Sequence, residues 1–342
     1  MTLKKRLGWA FALLLCVFAV MLGSCKKSGK AKIMIYTSMY EDVIELMKVA
    51  LKPVFPDYNI EFFYGGTGAL QAKIAAEMDS GKLGCDILMV SEPSYALELM
   101  DYEMLHPYIS TEAGSLDFPY DPQGYWYPVR VCNMVLAYNP EKFSKDKIPN
   151  SFYDFAYGAD VRGAISMSNP LTSGTAMASV TAFKDRYGYE YFAALGKQGV
   201  MVESGSVALT KLETGECKVI QILEESVLKK RQEEGSTLEV IYPTDGTVII
   251  PSIIAILNDG WSANRNIKAA EEITDWFLSE EGQENIVKGW MHSVRKDFST
   301  LPYDAIPTAD IKANSLPVNW ENCYKQREEI RTKFQEAVTF KK

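Results

Sequence analysis

The sequence predicts a mixed α/β protein made of two lobes that are joined by a hinge. Strand-like and helix-like patterns alternate along most of the chain, which is typical of mostly parallel sheets covered by helices on both faces. Two long extended segments, near residues 130 and 250, interrupt this alternation. A chain of 342 residues is also long enough for two domains of ordinary size. We therefore expect two α/β lobes between which the chain crosses twice.

The N-terminus has the pattern of a lipoprotein export signal. A basic cluster at residues 4–6 precedes an apolar run over residues 7–22, and Leu22-Gly23-Ser24-Cys25 follows. Small residues before a cut and a cysteine directly after it are what lipid attachment requires. An uncleaved membrane anchor is the alternative, because the apolar run exceeds the usual length of about 7–15 residues. We predict a signal peptide at 1–24, lipid on Cys25, a tether at 25–31, and a location in the periplasm or at the cell surface, anchored to the membrane.

The charge balance excludes one class of partner. The predicted signal peptide carries three basic and no acidic residues, so the mature chain has 33 Lys and Arg against 44 Asp and Glu. Its formal charge of −11 is the opposite of what a nucleic-acid-binding protein needs. The sequence therefore predicts no nucleic-acid partner.

The cysteines of the mature chain do not form a metal or redox motif. No CxxC pair is present, and the only histidines, His106 and His292, lie far apart in sequence. A structural zinc site is therefore not expected, and we predict no cofactor. One or two disulfides or a set of buried thiols both remain open for Cys85, Cys132, Cys217 and Cys323.

The first part of the mature chain reads as a βαβ pattern followed by further alternation. Apolar and β-branched runs predict the strands, and helical spacing of apolar residues predicts the helices. The predicted strands are 32–38, 58–64 and 86–90, and the predicted helices are 41–55, 70–80 and 94–100.

The remaining chain repeats these signals after a long extended segment at 123–138. Its predicted strands are 163–168, 217–223, 237–242 and 248–257, and its predicted helices are 173–187, 206–214, 268–278 and 283–290. Because segment 248–257 is a candidate for crossing back, the middle of the chain reads as an insertion into the first lobe. We predict lobe 1 at 32–130 plus 248–290, lobe 2 at 131–247, and a C-terminal extension at 291–342 that packs on the lobes.

Three turns rich in Ser, Thr and Gly precede helices at the ends of predicted strands. They are Thr37-Ser38, Gly65–Gly68 and Thr172–Thr175. Free N–H groups and the helix dipole make such helix starts attractive to anions, and glycine lets a phosphate oxygen approach closely. Each turn alone has a structural interpretation, since Ser38 with Glu41 forms a capping box and the other two are ordinary tight turns. Their occurrence in both lobes favours an anionic ligand held between the lobes.

Six stretches of the chain carry a resemblance to known proteins, and they are 35–38, 67–70, 85–87, 173–175, 242–247 and 269–283. Together they resemble the ferric-ion-binding branch of the extracellular solute-binding proteins that serve ABC importers. The resemblance covers roughly residues 33–290. It implies a class II periplasmic-binding-protein fold of the Venus-flytrap type, an ABC permease as partner, and a monomer.

One segment departs from the iron-binding pattern. The ferric-ion binders carry adjacent tyrosines after the strand that corresponds to 219–223, whereas this chain has Glu224-Glu225-Ser226 there. Hard phenolate ligands are therefore missing from this segment. With its Gly/Ser/Thr turns, Glu at the tyrosine position and the later Tyr-Pro-Thr-Asp-Gly at 242–246, the sequence resembles the AfuA-type hexose-phosphate binders of this branch. The similarity implies phosphate-binding residues Thr37, Ser38, Gly66, Thr67, Gly68, Ser173, Gly174 and Thr175, sugar- or amine-binding residues Glu203, Ser204, Glu224, Glu225 and Asp245, and possible roles for Arg130 and Tyr242.

The function expected from these observations is capture of a phosphorylated small molecule, foremost a hexose phosphate, by closure of the two lobes. Ferric iron or another cation, an aminophosphonate and inorganic phosphate remain alternatives. An enzyme is not expected, because no GxSxG, HExxH, Walker or GxGxxG motif is present and the neighbouring Glu224 and Glu225 point in different directions. An adhesive lipoprotein and a receptor for a sensor are further rivals.

Overall fold

The computed structural model describes residues 30–339, so the predicted signal peptide and Cys25 lie outside the described residues. The mixed α/β class predicted from the sequence is confirmed. The strands are β1 Ala31–Thr37, β2 Tyr58–Tyr64, β3 Ile87–Val90, β4 Tyr127–Tyr138, β5 Ile165–Ser168, β6 Met201–Glu203, β7 Val219–Leu223, β8 Glu239–Ile241, β9 Thr247–Ile256 and β10 Ser315–Leu316. The helices are α1 Glu41–Val54, α2 Thr67–Met78, α3 Ser94–Asp101, α4 Phe152–Tyr157, α5 Gly174–Tyr187, α6 Glu190–Gln198, α7 Gly205–Thr214, α8 Glu224–Glu234, α9 Ile267–Leu278, α10 Glu280–Lys288, α11 Thr308–Ala313, α12 Trp320–Lys325 and α13 Arg327–Thr339.

All ten strands belong to one sheet. Its order is β2-β1-β3-β9-β4-β7-β5-β6, with β10 paired to β9 and β8 paired to β4. The β1–β2, β1–β3, β5–β6 and β5–β7 pairs are parallel. The pairs at the centre of the sheet, β3–β9, β4–β9 and β4–β7, are antiparallel.

Strands β4 and β9 connect the two halves of the sheet. Strand β4 pairs with β9 over Tyr127–Met134 and with β7 over Met134–Tyr138. All 12 residues of β4 are buried, which explains why its apolar run shows no polar alternation. A further bridge joins Val131 to His292, so a third segment runs beside these two strands. The boundaries of lobes 1 and 2 stay a prediction, and we use these names for the segments defined above.

Several elements were not predicted from the sequence. Helices α4, α6, α8, α11, α12 and α13 and the short strands β6 and β10 are additional, and α2 and α10 each begin three residues before the predicted start. Helix α8 combines a run of charged residues with only a few apolar positions, so its sequence lacks the periodic stripe that identifies an amphipathic helix. Short elements such as β6 carry too few residues for a periodicity to be visible.

The C-terminal extension contacts both predicted lobes. On lobe 1, the guanidinium of Arg327 donates to Glu98 and Ser94 of α3. On lobe 2, Phe334 packs on Phe192 with their ring centroids 5.4 Å apart. These contacts hold the extension against the body of the protein.

The structure also shows whether the four cysteines within residues 30–339 form disulfides. Cys85, Cys132, Cys217 and Cys323 are buried and free, which agrees with the buried-thiol alternative.

Within residues 30–339, no helix is long and apolar enough to span a bilayer.

Candidate functional site

A cleft of about 410 Å³ lies between the two predicted lobes, and the N-terminal ends of five helices line it. The contributing residues are Tyr40 before α1, Gly66 and Thr67 at α2, Ser173, Gly174 and Thr175 at α5, Ser204, Gly205 and Ser206 at α7, and Leu223 and Glu225 at α8.

These helix ends give the cleft a positive electrostatic character. Helices α1, α2 and α8 have no side chain that caps their first turn. Their first amide groups therefore lack a side-chain acceptor, and each helix dipole adds roughly half a positive charge. Helices α5 and α7 are capped by Ser173 and Ser204, whose hydroxyls accept bonds from Ala176 and Val207. The arrangement suits an anion that approaches several helix starts at once.

Hydroxyl groups from both predicted lobes cluster at this end of the cleft. On lobe 1, the Ser91 hydroxyl lies 2.9 Å from that of Ser38 and accepts a bond of 3.1 Å from Thr67. On lobe 2, the hydroxyls of Ser173 and Thr175 are 3.0 Å apart. Hydroxyls rotate freely and can turn their hydrogens toward an anionic ligand.

Arg130 is a buried cation without a charged partner among residues 30–339. A register shift between Pro128 and Arg130 in the β4–β9 pairing turns its side chain toward the cleft. The side chain is only 4% exposed, and its guanidinium donates to the Met291 sulfur at 2.9 Å and to the Ser38 hydroxyl at 3.4 Å. An unpaired buried charge is costly, so its presence in the cleft favours a negatively charged ligand.

Glu225 brings a carboxyl group into the same cleft. It is 4% exposed, and its Oε1 atom has no hydrogen-bond partner. Burial raises the pKa of Glu225 to about 7, although Arg130 acts in the opposite direction. Burial also raises the pKa of the nearby Cys132 thiol to about 12, so this thiol is neutral. Glu225 is therefore a group beside Arg130 whose charge changes near neutral pH.

The raised pKa of Glu225 predicts a pH-dependent stability. The folded carboxyl keeps its proton up to about pH 7, whereas the unfolded carboxyl loses it near 4.5. Stability from this group is therefore complete below pH 4.5 and falls as pH rises toward 7, by on the order of 3 kcal/mol. We expect Glu225→Gln to remove this decrease, so that the variant gains stability over the wild type at pH 8 but not at pH 4. Urea unfolding of both proteins at the two pH values measures the difference, and equal pH profiles would contradict the prediction.

The two predicted lobes touch beside the hydroxyl cluster. The Gly68 amide donates to the Thr172 carbonyl at 3.1 Å. A Cβ atom at Gly174 would lie 2.6 Å from the Thr67 hydroxyl oxygen, and one at Gly68 would lie 2.6 Å from the Leu171 carbonyl oxygen. Both glycines thus permit the close approach of α2 and α5, which a larger residue would prevent.

Five residues of the predicted site lie outside the cleft lining. Thr37 is fully buried, and its hydroxyl accepts a bond from the Met39 amide. Gly68 lies at the contact between the two predicted lobes, where its amide donates to the Thr172 carbonyl. Glu224 faces away from the cleft, where its carboxyl group accepts hydrogen bonds from Asn133 and from the Tyr242 hydroxyl and lies beside the His292 ring. Tyr242 is therefore also outside the cleft lining. Asp245 accepts bonds from the Phe152 and Tyr153 amides at the start of α4.

Two further predicted residues line the cleft but are partly engaged. Glu203 pairs with Lys211 at 2.9 Å and accepts a bond of 3.0 Å from Ser166, while Ser204 caps α7. The remaining predicted residues that line the cleft are Ser38, Gly66, Thr67, Arg130, Ser173, Gly174, Thr175 and Glu225.

Sequence reasoning missed about half of the lining. Ser91 and Ser168–Asn169 lie at the carboxyl ends of β3 and β5, where ligands of parallel sheets commonly bind, and this position was a usable signal. Tyr64 ends the parallel strand β2 and Tyr40 follows β1, so both had the same positional signal, although neither belongs to a polar turn. Desolvation of the phenol group and the nearby Glu225 raise the pKa of Tyr40, although 39% of the residue is exposed, so its phenol stays protonated. The missed residues are Tyr40, Tyr64, Ala69, Ser91, Cys132, Ser168, Asn169, Gly205, Ser206, Ile222 and Leu223.

Comparison with known proteins places the chain among binding proteins. Residues 54–310 match the profile of the family described as bacterial extracellular solute-binding protein. An uncharacterized protein of Haemophilus influenzae is 24% identical over 296 residues, which cover 82% of each chain.

Solved structures share the fold at lower identity. AfuA from Actinobacillus pleuropneumoniae, solved with exogenous fructose-6-phosphate bound, has a TM-score of 0.79 at 21% identity, covering 91% of this chain and 100% of AfuA. Iron-bound HitA from Pseudomonas aeruginosa has a TM-score of 0.77 at 19% identity, covering 90% of this chain and 99% of HitA. Both similarities show a two-lobed periplasmic-binding-protein fold. The chain belongs to the bacterial extracellular solute-binding protein family, whose members deliver small molecules to ABC importers.

Proposed function

We propose that this protein captures a phosphorylated small molecule, foremost a hexose phosphate, for an ABC importer. The observation that carries the proposal is the buried Arg130, which has no charged partner and faces a cleft lined by helix N-termini. In this proposal the mature protein is a monomer that lipid on Cys25 holds at the membrane, and an ABC permease receives its ligand.

The phosphate end of the ligand occupies the hydroxyl-rich part of the cleft. Arg130, Ser38, Thr67 and Ser91 approach it from one side, and Ser173 and Thr175 approach it from the other. Five charge-assisted hydrogen bonds at about 1.5–3 kcal/mol each supply roughly 7–15 kcal/mol before ordering costs. A micromolar dissociation constant needs only about 8 kcal/mol, so the cradle is sufficient for a transport receptor.

The hydroxyls of a sugar satisfy the other polar groups of the cleft. The free Oε1 atom of Glu225 accepts a hydrogen bond from a sugar hydroxyl, and Asn169 and Ser206 offer further partners on the same wall. Glu203 contributes less than the sequence indicates, because Lys211 already neutralises it.

Two other ligands have support from single features. An amine-bearing phosphonate would pair its ammonium group with Glu225. Ferric iron would find oxygen donors in Tyr40, Tyr64 and Glu225. Against iron, the raised pKa of Tyr40 opposes a phenolate, Arg130 repels a cation, and residues 30–339 hold no cluster of three or more His, Cys, Asp or Glu side chains suited to a metal ion.

A thermal-shift screen of the mature, unlipidated protein tests the proposal. A ligand that binds only the folded state raises the unfolding temperature in proportion to RT ln(1 + [L]/Kd). The screen compares hexose 6-phosphates, the parent hexoses, aminoethylphosphonate, inorganic phosphate and ferric citrate. We expect a shift with hexose phosphates and none with the parent hexoses. A shift with ferric citrate alone would contradict the proposal and favour iron.

The hydroxyls of lobe 2 predict a mutational effect on the same ligand. Ser173→Ala combined with Thr175→Ala is expected to weaken the phosphorylated ligand at least tenfold, or about 1.4 kcal/mol. Because Ser173 also caps α5, the matched control is Ser279→Ala, which removes the cap of α10 outside the cleft. The control should lose a similar amount of stability and keep its affinity, as measured by calorimetric titration. Unchanged affinity of the double variant would exclude a phosphate cradle formed by both lobes.

A further inference from the structure

A second compartment of about 430 Å³ adjoins the cleft at Glu225. The two compartments share Tyr40, Tyr64, Glu225 and the 205–206 turn of α7, so they lie side by side between the predicted lobes. Lobe 1 supplies the start of α1 and Trp290 to the second compartment, and lobe 2 supplies residues of α7 and α8.

Much of the apolar part of the second compartment is formed by Tyr40, Tyr64, Leu209 and Trp290. Tyr40 and Tyr64 are 39% and 41% exposed, so their rings are accessible to a ligand, and the buried Leu209 lines the same compartment. The two lysines at its rim are already paired, Lys229 with Asp42 at 2.5 Å and Lys230 with Glu234 at 2.8 Å. This compartment is therefore suited to a flat apolar surface more than to a second charged group.

Trp290 occupies a strained backbone position at the wall of this compartment. Its φ angle is +62°, in the left-handed region that bulky residues avoid. The neighbouring Gly289 occupies the tight position against α1, where a Cβ atom would lie 3.1 Å from Val43. The indole Nε1 donates to Gln232 of lobe 2 at 2.7 Å, and the Lys229 ammonium lies 5.7 Å from a ring centroid of the indole. Strained residues that the surrounding structure holds in place commonly mark functional sites.

We propose that the second compartment binds a second ring of the ligand, which stacks on Trp290 and the neighbouring tyrosines. The ligand would then be a sugar phosphate that carries a further ring on the side away from its phosphate. This inference rests on the proposed function, because it places the phosphate at Arg130. The volume of the first compartment is sufficient for a ligand as small as a hexose phosphate, so the second compartment is available for an additional group.

Matched pairs of ligands test the inference. Trehalose 6-phosphate adds a second sugar ring to glucose 6-phosphate, and uridine 5′-monophosphate adds a planar base to ribose 5-phosphate. In calorimetric titrations we expect at least one two-ring ligand to bind tenfold or more tightly than its one-ring partner, and the better pair identifies the ring as a sugar or a heteroaromatic base. Equal or weaker binding of both two-ring ligands would overturn the inference alone. Failure of all four to bind would overturn the proposed function.

Variants at Trp290 test the stacking surface. Trp290→Gly removes the indole and also relieves the backbone strain, whereas Trp290→Ala removes the indole and keeps the strain. Both are expected to lose the tenfold preference, so that each variant binds the two ligands of a pair with affinities within threefold of each other. The glycine variant should unfold at a higher temperature than the alanine variant, which confirms the backbone conformation independently of the ligand. Trp320→Ala, on α12 outside both compartments, is the control and should keep the preference. A preference that survives in both Trp290 variants would overturn the inference.

Discussion

Replacement of Arg130 by methionine is expected to weaken the phosphorylated ligand about 100-fold or more and to leave the ligand-free protein as stable as the wild type or more stable. The loss of affinity follows from the loss of at least two charge-assisted hydrogen bonds, each worth about 1.5–3 kcal/mol. A decrease of about 3 kcal/mol corresponds to a factor of more than 100 in the dissociation constant.

The expected gain in stability has a different cause. Without ligand, the Arg130 guanidinium is buried and has only the Met291 sulfur and the Ser38 hydroxyl as partners among residues 30–339. Such a charge destabilises the folded state, and a methionine of similar length fills the same space without it. A residue that costs stability but supports binding belongs to the functional site and not to the core.

A second buried arginine provides a matched control. Arg327 is 8% exposed, but it pairs with Glu98, so its role is structural. Arg327→Met is expected to lower the free energy of unfolding by about 3 kcal/mol, because it leaves Glu98 without its partner. It should leave the affinity unchanged. Urea unfolding and calorimetric titration of both variants separate the two roles, and a destabilised Arg130→Met with full affinity would show that Arg130 is structural.

Arg130→Lys refines the same test. Lysine keeps the positive charge but has no planar fork of donors, and its ammonium group is more strongly hydrated. We expect an affinity between those of the wild type and of Arg130→Met. This intermediate value would show that both the charge and the geometry of the guanidinium contribute to binding.

The strands and the long helices of this protein were predictable because their residues pack in regular patterns. Strand β4 is buried along its whole length, and α1 shows four buried positions with helical spacing. The short helices α4 and α12 depend on tertiary contacts and on single capping residues, Ser151 and Asn319. Sequence periodicity carries too little information over six residues to identify them.

The site was predictable where it depends on turns and unpredictable where it depends on side-chain direction. Ser38, Thr67, Ser173 and Thr175 reach the cleft because they lie at strand-to-helix junctions, and the sequence displays these junctions directly. Which member of the Glu224-Glu225 pair faces the cleft depends on the rotation of the first turn of α8, which the residue types do not reveal. Arg130 reaches the cleft through an irregularity in strand pairing, and no local sequence signal marks such a shift.

Glu225→Gln distinguishes the three ligand classes. A glutamine carbonyl still accepts a hydrogen bond from a sugar hydroxyl, so the variant should bind a hexose phosphate within about tenfold of the wild type. An aminophosphonate would lose an ion pair with a desolvated carboxylate, at a cost of about 3 kcal/mol, or more than 100-fold. Ferric iron would lose its carboxylate donor, which an amide replaces poorly.

Glu224→Gln is the matched control for this experiment, since the two residues are adjacent, buried and of the same type. The Glu224 carboxylate accepts a bond from Asn133 at 3.0 Å and lies 3.1 Å from the His292 ring nitrogen, behind the cleft. Its replacement disturbs this network, so it should lower the unfolding temperature and leave the affinity for every ligand unchanged. If Glu224→Gln weakens binding and Glu225→Gln does not, the first turn of α8 is rotated so that Glu224 faces the cleft. The carboxyl that contacts the ligand is then Glu224.

A different result would change the ligand class. If Glu225→Gln weakens only an amine-bearing phosphonate, and by more than 100-fold, the free Oε1 atom of Glu225 is the partner of an ammonium group. The importer then carries an aminophosphonate in place of a sugar phosphate.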